Sequence, residues 1–191
     1  TAYAFVDAQI SLPLSLACSN NSFTFVNSSS PGTKHTYWLF GDGSPEVENN
    51  SSSVSHTYIL PDTSLYSKTY QIRLIGTNNH PVCRDTDFVS INVHPIPKSN
   101  FTSDVTEGCE PVRVQFTNQT AQPNCTYFWN FADGNTSSDK NPLHYFYNNG
   151  GNDTTYNVML KAISNNGCRD SIVKPITAYS RIAANFAVEN S

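Results

Sequence analysis

Tyr37-Trp38-Leu39-Phe40-Gly41-Asp42-Gly43 is the stretch on which the fold turns, because it occurs twice. The second copy is Tyr127-Phe128-Trp129-Asn130-Phe131-Ala132-Asp133-Gly134. A cysteine stands twenty residues before the Trp in each copy, Cys18 before Trp38 and Cys109 before Trp129. A spacing kept on this scale marks tandem modules. Trp38 and Phe40 are two apart, as are Trp129 and Phe131. In an extended chain each pair faces one side, the core, while Leu39 faces the other. The Asp-Gly pair then turns the chain in a tight hairpin, with Gly43 and Gly134 accepting a positive φ.

Working outward, each copy opens on a Phe, Phe5 and then Phe101. An alternating run follows the cysteine, Phe23-Thr24-Phe25-Val26-Asn27 against Val114-Gln115-Phe116-Thr117-Asn118. Alternation predicts strands with Phe23 and Phe25, or Val114 and Phe116, on the buried face. Beyond the Asp-Gly turn come polar residues and then His56-Thr57-Tyr58 or His144-Tyr145-Phe146-Tyr147. A late strand, Tyr70-Gln71-Ile72-Arg73-Leu74 or Tyr156-Asn157-Val158-Met159-Leu160, leads to Cys83-Arg84-Asp85 or Cys168-Arg169-Asp170. A Phe follows each of these cysteines by eighteen residues, Phe101 and Phe186. The expected division is therefore a module over 1–96, a second over 97–182, and the start of a truncated third over 183–191. Short strands, frequent turns and no long helical periodicity predict an all-β sandwich for each module. The linker around Val93-His94-Pro95-Ile96-Pro97 is short, and its prolines favour stiff, extended backbone.

Composition excludes several functions. Charged residues make up 14% of the 191 and the net charge is −4, so nothing invites nucleic acid or an anionic membrane. No apolar run is long enough to span a bilayer. The five cysteines form no CxxC and no zinc-spaced cluster, so a disulfide-permissive, extracellular setting fits them best. Nine Asn-x-Ser/Thr sequons occur, for example at Asn27, Asn100 and Asn118, but a chain this rich in Asn, Ser and Thr produces them by chance.

Trp-x-Phe-Gly-Asp-Gly, then His-x-Tyr, then Tyr-x-Val/Ile-x-Leu resembles the PKD (polycystic kidney disease) domain. The first copy carries the pattern in full. The second has Ala132 in place of the first Gly and Phe146 in place of the Tyr. The resemblance implies tandem immunoglobulin-like sandwiches of about seven strands each. The cysteine pattern and the Phe opening each module are similar to PKD arrays in large surface proteins of Bacteroidota, including gliding adhesins and cargo of the type IX secretion system. That similarity implies a spacer in a cell-surface adhesin. It also implies O-glycosylation at Thr154 and Ser171, where Asp153-Thr154-Thr155 and Asp170-Ser171-Ile172 fit that group's three-residue pattern.

Asp42 and Asp133 are read as turn residues bonding their own backbone rather than as catalytic or calcium-binding groups. His56 and His144 recur, yet no acid recurs at one fixed short distance from both, so each is expected to be a hydrogen-bonded structural histidine. Trp38, Trp129, Phe40 and Phe131 are expected in the core, and Tyr58 is read as part of the structural motif that follows His56. Tyr70 and Tyr156 are candidates for a tyrosine-corner bond. No catalytic group and no cofactor is expected; loop Asp and Asn side chains are the only candidates for a bound Ca²⁺. The expected partners are neighbouring repeats of the same chain, with surface glycans or proteins as alternatives, and not nucleic acid or a membrane. A binding module using 46–55 and 139–142, or an accessory domain of a secreted hydrolase, are the rival readings.

In a sandwich of this type Cys18 and Cys83 lie in loops at opposite ends, too far apart for the roughly 7 Å Cα separation a disulfide permits. We therefore expect Cys18 to pair with Cys168, and Cys83 and Cys109 to pair with modules beyond this chain. Cys125–Cys168 is the main competitor, and Cys18–Cys83 with Cys109–Cys168 stays open.

Overall fold

The computed structural model describes residues 5–12, 17–61, 66–80 and 82–181. No helix occurs among them. The chain divides into two compact units, Thr1–Ile96 and Pro97–Ser191. Each is an immunoglobulin-like β-sandwich. The expected third repeat, 183–191, lies outside the described residues.

In the first unit, β1 (Ile10–Ser11), β2 (Ser22–Asn27) and β5 (Ser53–Thr57) form one sheet in the order β1-β2-β5. β3 (His35–Leu39), β4 (Val47–Glu48), β6 (Lys68–Thr77) and β7 (Arg84–Val93) form the other in the order β4-β3-β6-β7. Burial alternates along β2, with Phe23 and Phe25 buried and Thr24 exposed. Phe25, Trp38, Phe40, Tyr58, Ile72 and Leu74 fill the space between the sheets.

In the second unit, β8 (Phe101–Ser103), β10 (Val112–Asn118) and β13 (Leu143–Phe146) form one sheet. β9 (Glu107–Cys109), β11 (Thr126–Asn130), β12 (Thr136–Ser137), β14 (Thr154–Ile163) and β15 (Arg169–Tyr179) form the other, ordered β12-β11-β14-β15-β9. Its core repeats the first, around Phe101, Phe116, Trp129, Phe131, Phe146, Val158 and Leu160.

Both units share a further detail of topology. Cys109 pairs in parallel with Tyr179 at the end of β15. Cys18 makes an isolated parallel bridge with His94, just past the end of β7. Val93 and His94 thus belong to the first unit's sheet rather than to the linker in which the sequence reading put them. The opening Phe differs between the units: Phe101 is buried, but Phe5 is 78% exposed and Val6 and Ala8 take the inner positions.

The Asp-Gly turns are wider than two-residue hairpins. β3 ends at Leu39 and β4 begins at Val47, while β11 ends at Asn130 and β12 begins at Thr136. Gly43 and Gly134 have φ of 95° and 94°, the left-handed values expected of them. Gly41 is more tightly constrained. Its φ is 76°, and a Cβ there would lie 2.4 Å from the Gln71 carbonyl oxygen. The second copy tolerates Ala132 at φ 62°, its amide held by the Asn130 side chain at 2.9 Å.

Candidate functional site

Both units build a polar constellation from the Asp-Gly turn and the histidine of the facing sheet. Nε2 of His56 lies 2.7 Å from Asp42 Oδ2, and Nε2 of His144 lies 2.7 Å from Asp133 Oδ2. The histidines sit on β5 and β13, and the aspartates follow β3 and β11, so each contact ties the two sheets together. The sequence separations differ, 14 residues in one copy and 11 in the other, which hid the pairing from a search for fixed spacing.

Each histidine ring is fixed by the aromatic residue preceding the turn. His56 stacks on Phe40 with centroids 3.9 Å apart and planes 5° apart, and His144 stacks on Phe131 at 3.9 Å and 3°. The residue two further along, Tyr58 or Phe146, meets the same ring edge-on at 4.7 Å. Tyr58 also donates its hydroxyl to the Phe40 carbonyl at 2.9 Å. Burial pushes that hydroxyl's pKa above its ordinary range.

The aspartates do bond their own turn, as expected. Asp42 Oδ1 accepts from the Ser44 amide at 3.1 Å and from its hydroxyl at 2.6 Å. Asp133 accepts from the Asn135 amide at 3.0 Å and from its side-chain amide at 3.2 Å. Partial burial alone would raise the Asp42 carboxyl, but the bonds from Ser44 and His56 outweigh it and bring the pKa from 3.8 down to about 2. Asp133 is lowered in the same way, with His144 and Asn135 overcoming its burial. Both are therefore carboxylates at neutral pH and accept only, so each histidine Nε2 carries the proton that it donates.

This arrangement restrains a loop and activates no nucleophile. A hydrolytic triad places the histidine between acid and hydroxyl. Here Asp42 stands between His56 and Ser44, and the second unit has Asn135 where Ser44 stands. Among the described residues no three His, Cys, Asp or Glu side chains gather as a metal would require. The Asp42 contacts carry a pH dependence of definite sign. The folded pKa lies below the unfolded value, so the group adds stability that is full above pH about 4 and fades as pH falls through about 2. With both side chains mostly shielded, at 17% and 20% exposure, Asp42→Asn is expected to cost about 1–2 kcal/mol at pH 5 after allowance for solvent screening. Urea unfolding should show that difference shrinking toward zero near pH 2; a difference independent of pH would contradict this role for the carboxylate.

The other expected positions fall as follows. Trp38, Trp129, Phe40 and Phe131 are all buried. Each indole donates to a backbone carbonyl, Trp38 to Asn49 at 3.3 Å and Trp129 to Asp139 at 2.9 Å. Tyr156 makes a corner-like bond to the Tyr147 carbonyl at 2.8 Å. Tyr70 does not take that role: it stacks on Tyr58 at 4.5 Å with the Lys68 ammonium over its ring. Ser171 is exposed on β15 and Thr154 half-buried at the start of β14. The stretch 46–55, read as a loop, contains β4 and the start of β5.

Cys18 is a half-cystine, and so is Cys168. Cys83, Cys109 and Cys125 carry free thiols. Within each unit the early and late cysteines lie far apart. Cys83 precedes β7, and Cys18 bridges to His94 beyond its far end, a strand of 10 residues away. Cys168 precedes β15 and Cys109 pairs with its last residue. Such a strand spans about 30 Å, several times a disulfide's reach.

Residues 92–178 match the family model described as PKD domain. This segment is a PKD domain. Its paired Asp133–His144 contact is thus a feature of a PKD sandwich, and the first unit builds the same contact at Asp42–His56. No curated protein matches the chain. Among solved structures, the PKD1 domain of the Vibrio cholerae metalloprotease PrtV is similar at 23% identity and a TM-score of 0.37, covering 44% of this chain and 98% of that one. The PKD1 domain of Vibrio anguillarum Epp is similar at 18% identity and a TM-score of 0.37, covering 45% and 96%. Fibronectin(III)-like modules of Clostridium thermocellum CbhA show 8% identity and a TM-score of 0.41, covering 95% and 100%. A PKD sandwich is a structural or binding module.

Proposed function

We propose that the chain is a tandem of PKD-type modules serving as a stiff spacer in a large exported surface protein of the adhesin type. The observation that carries this reading is the duplicated Asp–His–aromatic contact. Both units devote this shared polar constellation to holding a turn against the opposite sheet, with no activated nucleophile beside it. A module specialised in this way transmits load and projects something else. The extracellular setting is supported by the half-cystines Cys18 and Cys168, since disulfides persist mainly outside the cytosol. Neighbouring repeats are the proposed partners. No cofactor, nucleic acid or membrane insertion enters the mechanism, and modification of Thr154 and Ser171 belongs to the same proposal.

The staple between modules is part of this reading. Cys18 is proposed to pair with Cys168, supported by their being half-cystines while the other three cysteines are thiols. Cys109 and Cys83 occupy the corresponding places in the other copy of the repeat, and are proposed to await equivalent cysteines of flanking modules. Non-reducing peptide mapping tests the pairing. The expected result is one linked peptide pair, containing Cys18 and Cys168, and three alkylated thiols. A Cys18–Cys83 or Cys109–Cys168 peptide would overturn the staple.

A further inference from the structure

The outward face of the first unit's four-stranded sheet carries a feature that the spacer role does not use. Leu39, Arg73 and Phe88 are register partners across β3, β6 and β7, so their side chains form one row. Phe88 is 51% exposed and adds nothing to the core. The row floors a concavity of ≈ 380 Å³, walled by Gly41 and Ser44 of the Asp-Gly turn and by Gln71. Pockets of about 300–1,000 Å³ with a few converging polar groups are the usual size for small ligands. Arg73 is half-buried and makes no ion pair among the described residues, in a chain with 15 acidic residues against 11 Lys and Arg. Of the turn's acidic side chains, Asp42 is committed to His56 and Ser44, and Glu46 does not line the concavity.

We propose that this concavity binds an acidic polysaccharide, with Arg73 pairing a uronate carboxylate, Phe88 and Leu39 lying under the apolar face of the sugar ring, and Gln71 and Ser44 meeting its hydroxyls. Charge complementarity selects an anion, because a half-buried guanidinium without a carboxylate favours one. A saccharide is selected over an acidic peptide by the backbone. Peptides commonly dock on sheets by adding a strand to an open edge. The edge beside Phe88 is occupied, since the amides of Ala8 and Ile10 donate to the Asp85 and Asp87 carboxylates at 2.9 and 2.8 Å. Recognition there falls to side chains, and a ring, an amide, a hydroxyl and a guanidinium suit a sugar. The second unit supplies an internal control. Its matching positions are Asn130, Met159 and Val173, with Met159 opposite both Asn130 and Val173 in the ladder. The frame is repeated and the binding chemistry is not. This inference stands apart from the spacer reading, and either holds without the other.

The test is calorimetric titration of the whole 191-residue chain with oligogalacturonate, a neutral β-glucan oligomer of equal length, and polyglutamate. Arg73→Met and Phe88→Val replace each residue with the one the sister sandwich already folds around. The expected result is saturable binding of oligogalacturonate alone, weakened about tenfold or more by Arg73→Met and also weakened by Phe88→Val. Absence of saturable binding, equal affinity in Arg73→Met, or polyglutamate or the neutral glucan binding as tightly would overturn it. Circular dichroism of both variants confirms folding.

Discussion

Trp129→Ala is expected to destabilise the second unit by about 3–5 kcal/mol, the cost of emptying a large aromatic site in a packed core. That is a large part of the roughly 5–10 kcal/mol a module of this size holds. Trp129 is fully buried, touches Phe101 at 5.0 Å and Phe116 at 5.3 Å between ring centroids, and spends its indole N–H on the Asp139 carbonyl. The neighbouring rings belong to two strands of the facing sheet, β8 and β10, so no single strand can close over the hole. Trp129→Phe separates the contributions: it keeps most of the packing but removes the indole donor and should cost about 1–2 kcal/mol. Urea unfolding followed by far-UV circular dichroism measures both. Because the chain has one Trp per unit, Trp38 fluorescence then reports the first unit alone. A cost below about 1 kcal/mol for Trp129→Ala would mean that the ring is not the centre of the core.

Much of the fold was legible because alternation is a local signal. Phe23 and Phe25, or Val114 and Phe116, declare their buried face through a period of two, and the structure buries all four. The placement of Trp38 with Phe40 and Trp129 with Phe131 was legible for the same reason. Features that depend on pairing between distant strands were not. Opposition of β2 and β5 sets Phe23 against His56, and that register brings the histidine to the Asp-Gly turn. Nothing in the spacing shows this, because the intervening loop differs in length between copies. The recoverable signal was co-occurrence. Asp and His are retained together in both copies, as is a small polar residue two past the Asp, Ser44 or Asn135. The two-residue strands β4 and β12 are too short to leave a pattern, which made the Asp-Gly turns look tighter than they are. Phe5 matches Phe101 in type only, since burial in the first unit falls on Val6 and Ala8.

The histidine–aspartate contact gives the turn a role beyond changing direction. In a sandwich under tension the two sheets resist shear through packed side chains and through whatever polar contacts cross between them. Asp42–His56 and Asp133–His144 cross at the same place in each unit, beneath an aromatic ring that limits water access. Partly shielded hydrogen bonds to a carboxylate contribute more than exposed ion pairs, whose median is about 0–1 kcal/mol.

The proposed staple between modules would have the larger mechanical consequence. A Cys18–Cys168 bridge encloses about 150 residues, and the loop-entropy relation gives it about 4–5 kcal/mol of stabilisation when unstrained. Under force its effect is geometric, since the enclosed chain cannot extend however far the sandwiches unfold. The central claim, a stapled pair of load-bearing modules, is tested most directly by pulling the chain between terminal handles in an optical trap, with and without reductant. We predict no module-sized extension in the oxidised chain and two unfolding steps of about 30 nm each after reduction, the contour of a sandwich of this length at about 3.3–3.6 Å per residue. Two full steps in the oxidised chain, or a single step after reduction, would contradict it.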